Sequence, residues 1–401
     1  GEAGRALGAS ITASGVGGII GAVVFAVMIP VLEPIVLAFS PAEFFLLAIL
    51  GITFIAFLAG GNNIFKGMIV GLFGMMLATV GMDPQTGTAR FAGDYLFLWD
   101  GVSLVTCVLA IFAVPEMITL AVKGGSIAAI SMEGVKFSYK QIFQGVMEVP
   151  RHWFLALRTS IIGAMIGMVP GLGGSAAAWL CYGHAVQTSK NPERFGHGAV
   201  EGVIAPETAS NAKEGGSLLP TLFFGIPGSS GMAVMMGAFL ILGIQPGPAM
   251  ITKNLDLVWT LIWALVVGNL IAVTFLLFIT RWVAVLTFIN ATMLVPFIVV
   301  LVVIGAYVNE GQWENLLILL AMSMVGYAML RANWPRAPFV IGLVLGRIAE
   351  ESLHKAMDLW GLGFFTRPIS MVLIGMIVAT IVFAILRSRK PNALDNLQVS
   401  S

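Results

Sequence analysis

The sequence predicts an all-α membrane protein of about ten transmembrane helices, with broken or re-entrant helices in a Gly/Pro-rich middle region. Three observations predict it. Hydrophobic residues make up 58% of the chain and charged ones only 10%, against about 45–50% and about 25% in soluble domains. Several apolar runs reach or approach the roughly 20 residues that a helix needs to cross a hydrocarbon core. The charges gather between those runs rather than within them.

Taken in order, residues 1–122 hold the N-terminal crossings, with apolar runs at 11–31, 44–59, 64–80 and 102–122. Residues 123–157 form a basic connection carrying Lys123, Lys136, Lys140 and Arg151, with Arg158 just beyond. Lys and Arg favour cytoplasmic loops, so this connection is expected inside. Counting back, 83–100 falls outside and Arg5 inside. Residues 158–401 hold the middle region and the C-terminal crossings, with apolar runs at 257–279, 293–307, 316–330 and 369–386.

The formal net charge of +1 gives no basic face for nucleic acid. Cys107 and Cys181 lie in apolar sequence without metal-ligand spacing and read as buried thiols. The chain opens at Gly1 with no signal-peptide pattern, and an upstream segment is expected.

Between residues 162 and 248, prolines and glycines interrupt apolar sequence repeatedly, so continuous helices are not expected there. Non-helical backbone at membrane depth is tolerated only where protein buries it or where it lines a wet cavity. That makes this region the candidate site. A broken helix offers free N–H groups and a positive dipole end to anions, carboxylates among them. One tip comprises Pro170, Gly171, Gly173, Gly174 and Ser175; a second comprises Pro227, Gly228, Ser229 and Ser230. Glycines also let helices pack closely, the plainer reading of either cluster alone.

The polar stretch 187–214 is too charged to face lipid. Within it Glu201, Glu207 and Asn211 are candidates to cap a broken helix, to coordinate Na⁺ or to carry a coupled proton. His184, His197 and Glu201 invite a metal reading, but His-Glu-x-x-His and Gly-x-Ser-x-Gly are both absent, so no catalytic residue and no metal site is assigned. An enzyme is therefore not expected. The rivals to a transporter are a channel or scaffold, in which glycines serve packing, and an intramembrane hydrolase.

These residues bring a resemblance into view. Val169-Pro-Gly-Leu-Gly-Gly174, Pro192-Glu-Arg-Phe-Gly196, Glu201-Gly-Val-Ile-Ala-Pro-Glu207, Asn211, Gly215-Gly216, Gly225-Ile-Pro-Gly-Ser229 and Gln245-Pro-Gly-Pro248 resemble the large membrane subunit of the tripartite tricarboxylate transporters. Gly305-Ala-Tyr307, the segment 338–346, Glu350 and Thr366-Arg-Pro-Ile-Ser370 extend the resemblance over most of the chain. Two departures stand out: Leu242, where relatives often carry His, and Lys213-Glu214 at a place usually small and neutral.

The resemblance implies a permease of the bacterial inner membrane that works with a small membrane subunit and a periplasmic solute-binding protein. It implies import of carboxylates on a cation gradient, with Na⁺ or H⁺ as the coupling ion and no cofactor. It also implies an earlier Gly/Pro motif in a first repeat, preceding this chain. The 401 residues alone are then expected not to transport.

Overall fold

The computed structural model describes residues 2–59, 64–83, 85–124, 138–170, 173–286 and 291–388. Helices dominate: α1 (Ala3–Ala38), α2 (Pro41–Ala59), α3 (Ile64–Ala78), α4 (Leu104–Val108), α5 (Val114–Lys123), α6 (Tyr139–Arg151), α7 (Trp153–Gly167) and α8 (Gly173–Thr188). They continue as α9 (Glu201–Phe224), α10 (Ser230–Ile241), α11 (Pro248–Thr252), α12 (Leu255–Leu286), α13 (Ala291–Val308), α14 (Glu314–Arg331), α15 (Ala337–Trp360) and α16 (Pro368–Ser388). A π-helical turn over Leu109–Ala113 joins α4 to α5, so the apolar run there is one continuous rod. The only strands among the described residues are β1 (Gly81–Met82) and β2 (Ala89–Arg90), a short antiparallel hairpin.

By length and composition, four described helical stretches can cross a bilayer: α1, the α4–α5 rod, α12 and α14. The α15 stretch and α16 pass the same test as a pair bent by 70°. Five shorter apolar helices, among them α7 and α13, fall below spanning length on their own. The protein is thus an all-α membrane protein, with many of its apolar segments too short to span alone.

The chain divides into two compact units. The first contains the described residues of 1–37, 116–232 and 243–301, and the second those of 38–115, 233–242 and 302–401. In the second unit α15 packs against α2 and α3. Its core includes Ile55, Ile111, Met236, Phe339 and Leu345. Fully buried Glu43 at the start of α2 accepts from Arg367 Nε and Ser370 Oγ, both at 2.9 Å, which fastens α16 to α2. Arg90 pairs in fork geometry with Glu350 and fastens the hairpin to α15.

Inside that hairpin the Asp83 carboxylate accepts from the backbone N–H groups of Gln85 at 2.8 Å and Thr86 at 3.2 Å. These bonds, with Arg90 nearby, hold its carboxyl below the ordinary carboxylate value.

In the first unit α9 is the central element, flanked by α7 and α8. The basic connection read over 123–157 contains α6, whose N-cap Ser138 accepts from the Lys140 N–H at 3.3 Å. This helix buries Ile142, Gly145 and Val149 and exposes Tyr139, Lys140 and Phe143. The backbones of α6 and α1 meet closely at Gly8 and Gly145.

One expectation needs correcting. The sequence between residues 162 and 248 does break, at 168–170, 189–200, 225–229 and 242–247 among the described residues, but α9 runs unbroken for 24 residues through Pro206 and Pro220. A proline ring crowds the carbonyl four residues back. Here those positions are Gly202 and Gly216, where the backbone has most room to adjust. Burial by neighbouring helices supplies the rest: nearly every residue from Ser217 to Phe223 is inaccessible.

Candidate functional site

Both predicted tips lie in the first unit. The α7 helix stops at Gly167, and α8 starts at Gly173, whose φ of +68° suits glycine. The N–H groups of Gly173, Gly174 and Ser175 open α8 and have no intrahelical acceptors. Gly171 lies outside the described residues; Pro170 is half-buried at the end of the turn after α7.

The second tip follows α9. Gly225 (φ +65°) ends the helix in the left-handed conformation, and Ile226 N–H donates to the Pro220 carbonyl at 3.0 Å. Pro227 and Gly228 are buried. Gly228 N–H donates to Thr221 Oγ1 at 3.3 Å, and Ser229 Oγ accepts from Met232 N–H at 3.3 Å, capping α10. Ser230 is the first residue of α10.

Both tips address the same helix. A Cβ placed on Gly174 would sit 3.1 Å from Ser210 Oγ, and one placed on Gly228 would sit 3.0 Å from Ser217 Oγ. Between these two serines the α9 backbone presses on α7, where a Cβ on Gly167 or Gly216 would overlap the carbonyl of Lys213 or Ala164. The α9 residues Ser210, Lys213, Glu214, Ser217 and Thr221 therefore form a polar stripe running from one tip to the other, spaced as neighbours on one helix face. Ser217 Oγ donates to the Lys213 carbonyl at 2.9 Å and Thr221 Oγ1 to the Ser217 carbonyl at 2.6 Å.

At the centre of the stripe Lys213 is 2% exposed, and its Nζ lies 2.7 Å from Glu214 Oε1, its one side-chain partner among the described residues. Sequence reasoning placed Lys213 and Glu214 in the polar stretch and noted them as a departure, but gave them no site role and gave none to Ser210, Ser217 or Thr221. The spacing that unites them carries meaning only once the segment is read as a helix, and its two prolines argued against that.

The remaining candidates occupy other places. Glu201 stands in the first turn of α9, roughly 24 Å along the helix from Ser217 at about 1.5 Å per residue. It faces His152 Nε2 at 3.6 Å and Arg194 at 3.7 Å, and its second carboxylate oxygen is buried without a partner. Nearby, Arg5 binds Glu148 at 2.7 Å, so α1, α6 and α9 meet in a charged cluster at that end. Glu207 is half-buried and makes no side-chain hydrogen bond or ion pair among the described residues. Asn211 points the other way, donating through Nδ2 to the Ser14 carbonyl and to Asn269 Oδ1, both at 2.7 Å.

The second unit also holds an apolar groove of about 800 Å³ lined by Phe45, Phe73, Met76, Phe91 and Leu353, with Glu350 and His354 among its lining. Its lining offers little to an anion. The tips instead present amides and hydroxyls, and the α9 stripe presents hydroxyls and an ammonium, among apolar helices.

Fold and site together define the class: a multi-pass membrane protein whose broken helices converge on a buried polar stripe, the organisation of a transporter component. The family model described as "Tripartite tricarboxylate transporter TctA family" matches residues 1–341, and the chain belongs to that family. It is similar to an uncharacterized 52.8 kDa protein in the TAR-I ttuC' 3' region of Agrobacterium vitis, 34% identical over 393 residues that cover 97% of this chain and 77% of the relative. It is also similar to a protein in the TAR-II ttuC' 3' region of the same organism, 38% identical over 230 residues, 56% of this chain and 95% of the relative. No solved structure matches the chain.

Proposed function

We propose that this chain is the large permease subunit of a binding-protein-dependent secondary transporter that imports carboxylates across the bacterial inner membrane on a Na⁺ or H⁺ gradient. A small membrane subunit and a periplasmic solute-binding protein complete the system. Membership of the TctA family supports the class. The observation that carries the mechanism is the approach of both tips, through Gly174 and Gly228, to a single stripe of α9.

In this reading a substrate carboxylate accepts from the first-turn amides of α8 and from the Ser175 and Ser229 hydroxyls. Helix N-termini stabilise anions there through free N–H groups and the helix dipole. Pro170 and Pro227 fix the entry of each tip, and the glycines leave the backbone open to close approach. Glu207, without a side-chain partner among the described residues, and Asn211 are the groups a coupling cation meets on α9.

The test is uptake of ¹⁴C-citrate and other di- and tricarboxylates into proteoliposomes holding the complete large subunit, the small subunit and the binding protein. Uptake that needs a Na⁺ or proton gradient supports the reading. Downhill flux indifferent to any gradient would make the protein a channel, and no flux of any carboxylate would remove the substrate assignment.

A further inference from the structure

The Lys213–Glu214 pair is unusual in both burial and geometry. Successive side chains on an α-helix point about 100° apart, so neighbours at i and i+1 do not face each other. Lys213 Nζ nevertheless reaches Glu214 Oε1 at 2.7 Å. The ammonium is 2% exposed while the carboxylate is 39% exposed. A buried ammonium requires an anion, because desolvation without a partner is costly. Here the anion comes from the side, off the same helix, and no residue of α7 or α8 supplies one among the described residues. Ser210, one turn before Lys213, faces Gly174 of the first tip, and Ser217, one turn after, faces Gly228 of the second.

We propose that the Lys213–Glu214 pair is the empty-site form of a carboxylate receptor, in which Glu214 holds the place that a ligand carboxylate takes on Lys213. On binding, the ligand carboxylate replaces the Glu214 carboxylate at Nζ, and Glu214 swings outward on its exposed side. The exchange keeps the buried ammonium paired throughout, so neither state strands a charge. Lys213 adds a full positive charge to a site otherwise built from amides and hydroxyls. It therefore selects for substrates with a carboxylate beyond the one the tips bind, which favours di- and tricarboxylates over monocarboxylates.

The inference deepens the transport reading and rests on it for the identity of the natural ligand, but its first test does not involve transport. In the full chain, purified in detergent, Glu214→Ala leaves Lys213 buried beside a space the size of a small carboxylate. Acetate is expected to raise the melting temperature of Glu214→Ala by several degrees more than chloride at equal ionic strength. It is expected to leave the wild type and the Lys213→Met/Glu214→Ala double variant unmoved. No acetate-specific shift in Glu214→Ala, or an equal shift in the double variant, would overturn the proposal whether or not the protein transports carboxylates.

In the complete system, Glu214→Gln is expected to lower the KM for a transported dicarboxylate several-fold by removing the internal competitor. Lys213→Met raises that KM about tenfold or more and narrows the preference for dicarboxylate over monocarboxylate, and Lys213→Arg retains part of it. A Glu214→Gln that raises the KM as Lys213→Met does would contradict the exchange and make the pair a structural clasp. Absence of carboxylate transport by the wild type, beside an intact acetate response of Glu214→Ala, would count against the transport reading alone.

Discussion

Asn211 of α9 donates its amide to Asn269 Oδ1 of α12 at 2.7 Å and to the Ser14 carbonyl of α1 at the same distance, so one side chain ties three helices together. Asn269 in turn donates to the Leu265 carbonyl of its own helix at 2.7 Å. Replacing Asn211 by Ala removes both interhelical bonds. The expected loss is about 1–2 kcal/mol, read as a lower melting temperature of the detergent-solubilised protein. A melting temperature equal to wild type would mean that the clamp contributes nothing.

Close backbone approach at α9 makes a second, contrasting prediction. Gly216→Ala drives a methyl group into the Ala164 carbonyl of α7, whereas Gly183→Ala on α8 meets nothing within 4 Å. The first is expected to cost about 1–3 kcal/mol through forced backbone shifts. The second is expected to be neutral or to stabilise by up to about 1 kcal/mol through helix propensity. Parallel melting curves decide it, and equal behaviour of the two variants would refute the α7–α9 contact.

Glu43 is fully buried and Arg367 about one-third exposed. Arg367→Ala strands the carboxylate with only Ser40 and Ser370 as partners, at a cost near the low end for a broken buried pair, about 3 kcal/mol. The double variant Glu43→Gln/Arg367→Ala removes the stranded charge and is expected to recover part of that loss. Guanidine-free thermal denaturation of the three proteins tests it; a double variant less stable than Arg367→Ala would contradict the account.

The hairpin should respond to acid. Asp83 has a carboxyl held below its ordinary value, so its contribution is fully present above the unfolded-state value and is lost as pH falls through the depressed one. Hydrogen exchange in β1 and β2 is accordingly expected to stay slow from neutral pH down to about pH 4, and then to quicken on further acidification. Asp83→Asn should show the faster exchange near neutral pH and converge on the wild type in acid, where Asp83 is itself protonated. Acid-independent protection would show that the Gln85 and Thr86 bonds do not hold the turn.

The fold was legible where uncharged apolar sequence runs far enough to cross a bilayer. Runs such as 11–31 and 257–279 are uninterrupted because a helix facing hydrocarbon tolerates no other composition, and α1 and α12 cover them. The tips were legible too, since Gly173 and Gly225 need left-handed backbone and announce it by residue type. What sequence reading lost was α9. Its charges, glycines and prolines argued against a continuous helix, yet neighbouring helices bury much of it, and each proline has glycine four residues before it. With α9 unread, the alignment of Ser210, Lys213, Ser217 and Thr221 was invisible. The helix α6 escaped for a related reason: it is amphipathic, and a search for apolar runs passes over it.

The central claim is that the two tips and the α9 stripe form one carboxylate site. The most direct measurement is maleimide labelling of variants with one added cysteine, Ser210→Cys, Ser229→Cys or Gly183→Cys, in the reconstituted complete system, with native Cys107 and Cys181 both buried. Citrate, or the carboxylate that the system transports best, is expected to slow labelling at Ser210→Cys and Ser229→Cys over one shared concentration range while leaving Gly183→Cys unchanged. Protection at only one of the two serine positions, or at neither, would contradict a single site spanning both tips.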